Sequence, residues 1–252
     1  MLLVIDVGNT NIVFGIYKEN ILIKTFRVKT KKDYSVNEFE LILKIKDIKA
    51  VIISSVVSGI MNNLKKAIKN KFSLTPIVVG QDVECEIKNL YENPKQTGID
   101  RLINAKMASL KYPLPLIVID FGTATTFNVV NSKGEFLGGA IFTGLNVLSN
   151  VLNNRTAKLP KVDFVKPNEV IGKSTIECMH SGIYYGYLSA IEGILSVMKQ
   201  NMKGNGTVIA TGGLSKLIFE NSNFIDIIDE TLILDGLKYI YDTQSGGKNE
   251  WA

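Results

Sequence analysis

Two stretches of the chain share one pattern: a continuous apolar run, an Asp-x-Gly turn with small hydroxyl or amide side chains, and a second run rich in β-branched and aromatic residues. LLVIDVGNTNIVFGIY begins at Leu2 and LIVIDFGTATTFNVVN at Leu116; laid over one another, Asp6 meets Asp120 and Gly8 meets Gly122. Short apolar runs bounded by turn residues predict buried strands, so each stretch predicts strand, tight turn, strand. Such turns are common between strands on their own account. Recurrence with the same apolar lead-in predicts a duplication instead.

The rest of the pattern fits two α/β halves, expected at residues 1–114 and 115–252. In the first, INIVFGIYKENILIKTFRV predicts strands around a Lys-Glu-Asn turn, NEFELILKI a helix, AVIISSVV a buried strand, MNNLKKAIKNKF an amphipathic helix and PIVVG a strand. In the second, strands near 116–120, 124–131 and 135–142 precede a helix near 144–153 and a long apolar helix from about 174 to 200; strand TVIAT then leads through Gly212-Gly213 into helix LSKLIFEN. The tail QSGGKNEWA has no periodicity and is expected to be mobile.

The repeated turn suits phosphate. Glycine lets backbone approach closely, successive N–H groups can form an anion nest, and Asn9, Thr10, Asn11, Thr123, Thr125 and Thr126 add neutral donors. Two such turns facing each other are expected to hold a phosphate chain.

Between the halves lies NLYENPKQTGIDRLINAKMASL. Turn-rich NPKQTG precedes Asp100-Arg101, and helical spacing begins at once, which places Asp100 at a helix N-terminus. The plain reading is an N-cap beside a solvated arginine. Against it, arginine occurs only at 27, 101 and 155, and Tyr91 stands ready to close over a small ligand. A guanidinium pairs a substrate carboxylate bidentately, and Asp100 could take a proton from a substrate hydroxyl.

NEVIGKST invites a phosphate-loop reading that fails on its own terms. The full loop needs a glycine where Pro167 stands, and proline lacks the N–H that points at phosphate. His180, the only histidine, cannot build a triad or metal cluster and reads as a packed or interfacial helix residue. Gly182 and Gly186 predict close approach of another backbone, from a helix or a second subunit.

Composition then narrows the classes. The net charge of +5 comes from scattered lysines without an arginine-rich segment or aromatic platform, so no nucleic-acid partner is expected. Cys85 and Cys178 read as free thiols in a reducing compartment. The opening apolar run ends at Asp6, so no signal peptide or membrane span is expected.

Taken together, DVGNTN at 6–11, TGIDR at 97–101, DFGTATT at 120–126, TAKLP at 156–160, IGKSTIECMHSG at 171–182 and ATGGLSKLI at 210–218 resemble the successive signatures of type III pantothenate kinases. The resemblance implies an α/β, duplicated ribonuclease H-like (actin-like ATPase) fold, with two mixed-sheet halves and flanking helices, working as a cytoplasmic homodimer. It implies transfer of the γ-phosphoryl group of ATP, with Mg²⁺, to the terminal hydroxyl of pantothenate, the first step of coenzyme A synthesis. By the same resemblance Asp6, Val7, Gly8, Asn9, Thr10, Asn11, Ile12 and Val13 form the first phosphate turn, and Thr123 contributes from the second. Asp120 matches the ligand of a monovalent cation, potassium or ammonium. Tyr91, Gly98, Ile99, Asp100 and Arg101 match the pantothenate site, with Asp100 the proton acceptor, and Thr175 matches a threonine that touches pantothenate across the dimer interface. IGKST thus serves the acceptor rather than the nucleotide. One departure stands out: Thr143 in GGAIFTGL occupies a position where the family usually carries proline. A related small-molecule kinase and a non-catalytic accessory protein of transcription are the alternatives; the first leaves Arg101 without a partner for a neutral sugar, and the second would be expected to lose Asp100 or a turn.

Overall fold

The computed structural model describes residues 1–156, 158–202, 206–220 and 222–246. Ala157 of TAKLP and residues 247–252 of the tail lie outside them. The chain divides into two compact units, one of Met1–Lys111 joined by the segment from Thr231 onward, the other of Tyr112–Glu230.

In the first unit β1 (Leu2–Val7) lies at the centre of a five-stranded sheet. On one side β2 (Asn11–Lys18) pairs with it antiparallel and β3 (Ile21–Lys29) pairs antiparallel with β2; on the other β4 (Ala50–Ser55) runs parallel to β1 and β5 (Ile77–Val78) parallel to β4, in the order β3-β2-β1-β4-β5. A central strand covered on both faces has no polar face to show, which is why LLVIDV lacks alternation. Leu3, Ile5 and Val7 pack with Phe39 of α1 (Val36–Ile42) and with Leu64 and Ile68 of α2 (Met61–Phe72). Ser35 and Glu38 form a reciprocal capping box that starts α1. On the alternate side chains of β1, α7 (Leu232–Gln244) packs and also meets α3 (Ile99–Lys111); Val4 and Leu234 both crowd Gly15 of β2, where a Cβ would lie 2.8 and 3.1 Å from them.

The second unit repeats the plan. β6 (Leu116–Phe121) is central, β7 (Ala124–Val130) and β8 (Phe136–Thr143) are antiparallel to their neighbours, and β9 (Thr207–Thr211) and β10 (Ile227–Ile228) are parallel, giving β8-β7-β6-β9-β10. Ile117, Ile119 and Phe121 pack with Ile183, Tyr187, Ile191 and Leu195 of the long α5 (Thr175–Asn201). α4 (Leu145–Arg155) follows β8, and α6 (Ser215–Phe219) follows β9.

The two sheets correspond strand for strand, so the duplication read from the turns is carried by whole sheets. It slips by one residue after the glycine. Val7 pairs with Ile12 and Phe121 with Thr125, so Gly8 to Asn11 close the first turn and only Gly122 to Ala124 the second. A division at 114 and 115 leaves the C-terminal segment with the second half; the structure joins α7 to the first. The reason is burial: Leu232, Leu234 and Leu237 are inaccessible or nearly so, against elements of the first sheet layer.

Candidate active site

The first turn closes on itself: the Gly8 N–H donates to the Asn11 carbonyl at 3.0 Å, and Thr30 Oγ1 donates to the Gly8 carbonyl at 2.7 Å. Asn9 and Thr10 are exposed at its tip, whereas the Ile12 side chain is in the core and only its main chain could face a ligand. At the base of the turn Asp6 accepts a hydrogen bond from Ser54 Oγ at 2.6 Å. Burial pushes the Asp6 carboxyl up to about 7; the Ser54 bond opposes the rise and the charge of Asp100 adds to it. Sequence reading missed Ser54. Its only signal is the hydroxyl pair that ends the buried run AVIISS.

Asp100 thus lies near enough for its charge to bear on Asp6, which sets the TGIDR loop close to the first turn within the first unit. Asp100 stands in the first turn of α3, as expected, and its Oδ1 accepts from the Arg101 N–H at 2.9 Å. Burial raises its pKa, while the Arg101 backbone bond and then the Arg101 charge pull it down. Gly98 makes room for this arrangement, because a Cβ there would lie 2.5 Å from Asp100 Oδ1. Ile99 opens the helix and is half-buried.

Arg101 is not solvated. It is 6% exposed, with Nη1 donating to the Tyr91 hydroxyl at 3.4 Å and its guanidinium carbon 5.8 Å from the Tyr91 ring centroid. Tyr91 is itself fixed by Asn89, whose Oδ1 accepts from the Tyr91 N–H at 3.1 Å and whose Nδ2 donates to Thr97 Oγ1 at 3.0 Å. A buried guanidinium beneath an aromatic ring is an anion receptor in kind.

In the second unit Thr123 is exposed at the turn, and Asp120 sits half-buried between Thr126 of β7 and Thr211 of β9. Gly212, at φ +90, brings the β9–α6 loop so close that a Cβ would lie 2.4 Å from Asp120 Oδ1. A carboxylate crowded by main chain gathers oxygen atoms of the kind that hard cations take as ligands. Among the described residues no three His, Cys, Asp or Glu side chains gather into a cage for a metal. Mg²⁺ fits a site of this kind as a companion of substrate phosphates rather than as a caged ion.

Thr175 opens α5 and is exposed beside a groove of about 550 Å³ that Leu152, Leu159, Lys173, Met179 and Ile183 also line. Here the loop's polar groups serve the helix. The Lys173 N–H donates to Glu177 Oε2 at 2.7 Å and Ser174 Oγ accepts from the Glu177 N–H, so GKST is a capped helix start and not a phosphate cradle. His180 is half-buried on α5. Among the described residues a Cβ at Gly182 or Gly186 would meet nothing within 4 Å, so none of them supplies the expected close approach of another helix of the same chain. Thr143 continues β8, where the family's proline would remove an N–H, and its hydroxyl donates to the Gly144 carbonyl at 3.3 Å.

Two like sheets, each bearing an Asp-x-Gly turn between its first two strands, define a duplicated ribonuclease H-like (actin-like ATPase) fold. Solved structures share that fold at low identity. A conserved protein from Campylobacter jejuni described as a Baf family transcriptional activator matches with a TM-score of 0.63 at 19% identity over 97% of this chain and 99% of the other. One from Sinorhizobium meliloti described as a 2-dehydro-3-deoxygalactonokinase matches with a TM-score of 0.56 at 10% identity, over 97% and 99%. The model of the type III pantothenate kinase family matches residues 2–197, and the type III pantothenate kinase of Bacillus cytotoxicus is 41% identical over 251 residues, 96% of each chain. The chain belongs to the type III pantothenate kinase family.

Proposed function

We propose that the protein transfers the γ-phosphoryl group of ATP to the terminal hydroxyl of pantothenate, giving 4′-phosphopantothenate for coenzyme A synthesis. The observation that carries this reading is the Asp100-Arg101 pair: a half-buried carboxylate in the first turn of α3 beside a buried guanidinium held under Tyr91. Arg101 pairs the carboxylate of pantothenate, Tyr91 and Gly98 to Arg101 shape its site, and Asp100 takes the proton of the attacking hydroxyl. As the new P–O bond forms, the bond from the γ-phosphorus to the β,γ-bridging oxygen breaks and ADP leaves. Asp6 to Val13 and Thr123 offer main-chain and hydroxyl donors to the ATP phosphates, each turn from its own half. Bound Mg²⁺ neutralises phosphate charge during transfer. Asp120 holds K⁺ or NH₄⁺ through its carboxylate. The unit is a cytoplasmic homodimer in which Thr175 serves the acceptor across the interface.

A neutral sugar acceptor leaves the Arg101 receptor without a partner, which disfavours a sugar kinase. The C. jejuni protein shares the fold alone and carries no argument for a transcriptional role. ADP release should require ATP, Mg²⁺ and pantothenate, and should fall when potassium is replaced by sodium. Turnover indifferent to pantothenate would overturn the acceptor, and turnover equal in sodium would remove the cation from Asp120.

A further inference from the structure

Tyr187 lies near the middle of α5, 1% exposed, with its ring 6.2 Å from that of Phe142 and 6.4 Å from that of Phe164 between centroids. A packing ring at such a place needs no hydroxyl, and a hydroxyl without a partner there would be costly. This one has a partner. It lies 2.5 Å from Thr125 Oγ1, itself fully buried, and Thr125 Oγ1 donates to the Thr143 carbonyl at 3.4 Å. A threonine has one proton to give, so the order runs from Tyr187 O–H to Thr125 Oγ1 to the Thr143 carbonyl. Burial lifts the Tyr187 phenol to about 12 against the opposing effect of the Thr125 bond, so it is neutral as any ordinary phenol is at neutral pH.

Both receiving ends border the second turn. Thr125 pairs with Phe121 directly across it, and the Gly122 N–H closes it on the Ala124 carbonyl at 3.2 Å. Gly144, next after Thr143, presses so close that a Cβ would lie 2.1 Å from the Thr123 carbonyl oxygen and 2.6 Å from that of Gly122. The main chain of the turn is therefore held between the start of β7 and the β8–α4 junction, and Tyr187 ties both to α5. Resting on the kinase reading above, we propose that Tyr187 is a positioning residue for the phosphate turn Gly122–Thr123, acting through Thr125 and Thr143. Thr175 lies about 18 Å away along the helix at 1.5 Å per residue. The acceptor end should not feel the change.

The test is steady-state kinetics of Tyr187→Phe, Thr125→Val and the double variant with each substrate varied, together with calorimetric ADP titration and thermal melting of each. Each single variant should raise the KM for ATP and the Kd for ADP and lower kcat, by about 3- to 10-fold in kcat/KM for ATP, the effect of one neutral hydrogen bond. The KM for pantothenate should stay within twofold, and the double variant should be no worse than the more severe single one. Melting temperatures that fall while kcat, the KM for ATP and the Kd for ADP stay within twofold would overturn the proposal, as would independent, additive losses. Should Tyr187→Phe fail to fold, Thr125→Val decides alone. Wild-type protein without pantothenate-dependent turnover would sink the kinase reading by itself, and the ADP titrations would still decide the role of Tyr187.

Discussion

Ser54 and Asp6 stand side by side in the parallel β1–β4 pair, with Ser54 Oγ donating to Asp6 Oδ1 at 2.6 Å. The bond steadies the ionised form, yet burial outweighs it and the charge of Asp100 works against it, which leaves the carboxyl at about 7. Below about pH 4 both folded and unfolded chains carry the proton; between about 4 and 7 the folded chain binds more, so its stability falls as pH rises through that window. Asp6→Asn removes the titration. The melting temperature of the variant should therefore exceed that of the wild type by a margin that is small at pH 5 and larger at pH 8. A margin equal at both values would show that Asp6 does not hold its proton as described.

Asp100 has a different fate. Burial raises its pKa, and Arg101, through its N–H and its charge, restrains the rise. That balance makes the carboxylate a stronger base than an exposed one while leaving it able to ionise. Asp100→Asn should keep the fold and lower kcat by about 10²- to 10⁴-fold, the usual contribution of a general base. A loss under tenfold would remove Asp100 from that role.

Arg101→Lys preserves the charge and discards the planar fork that lies against Tyr91. If the fork receives the acceptor's carboxylate, the KM for pantothenate should rise about 10- to 100-fold, as expected for the loss of a charge-assisted pair, with the KM for ATP within twofold. Equal rises in both constants would point to a displaced α3 instead of a lost receptor.

Much of this was legible because apolar runs and turn residues act locally. The two Asp-x-Gly turns, the strands around them and the start of α3 at the TGIDR loop all follow from side chains within a few positions. Arg101 was legible as a residue and not as a buried one, since its burial depends on Tyr91 folding over it from ten positions upstream. Ser54 was invisible because its meaning arises only when β4 pairs with β1, forty-eight positions apart in sequence. Helix α7 was missed for a related reason. It follows a two-residue strand, and what fixes it is a partner far back in the chain.

That partner is a polar cluster around Asp235. Its carboxylate accepts from Tyr17 O–H at 2.5 Å, from Lys111 Nζ at 3.0 Å and from Thr231 Oγ1 at 2.9 Å, so β2, the last residue of α3 and the start of α7 meet at one side chain. Lys111 and Asp235 retain only 15% and 14% of their side-chain exposure. Removing one member of a mostly buried pair strands the other's charge, which costs more than the pair itself contributes. Asp235→Ala should lower the unfolding free energy by about 2 to 4 kcal/mol in urea titrations. Hydrogen exchange should quicken in β2 and the end of α3, because that is where the lost bonds end. Asp100 sits at the other end of α3, so kcat of the folded variant should stay within about threefold of wild type. A change in unfolding free energy below about 0.5 kcal/mol, the level of an exposed ion pair, would mean that Asp235 does not anchor α7, and that its apolar side chains hold it unaided.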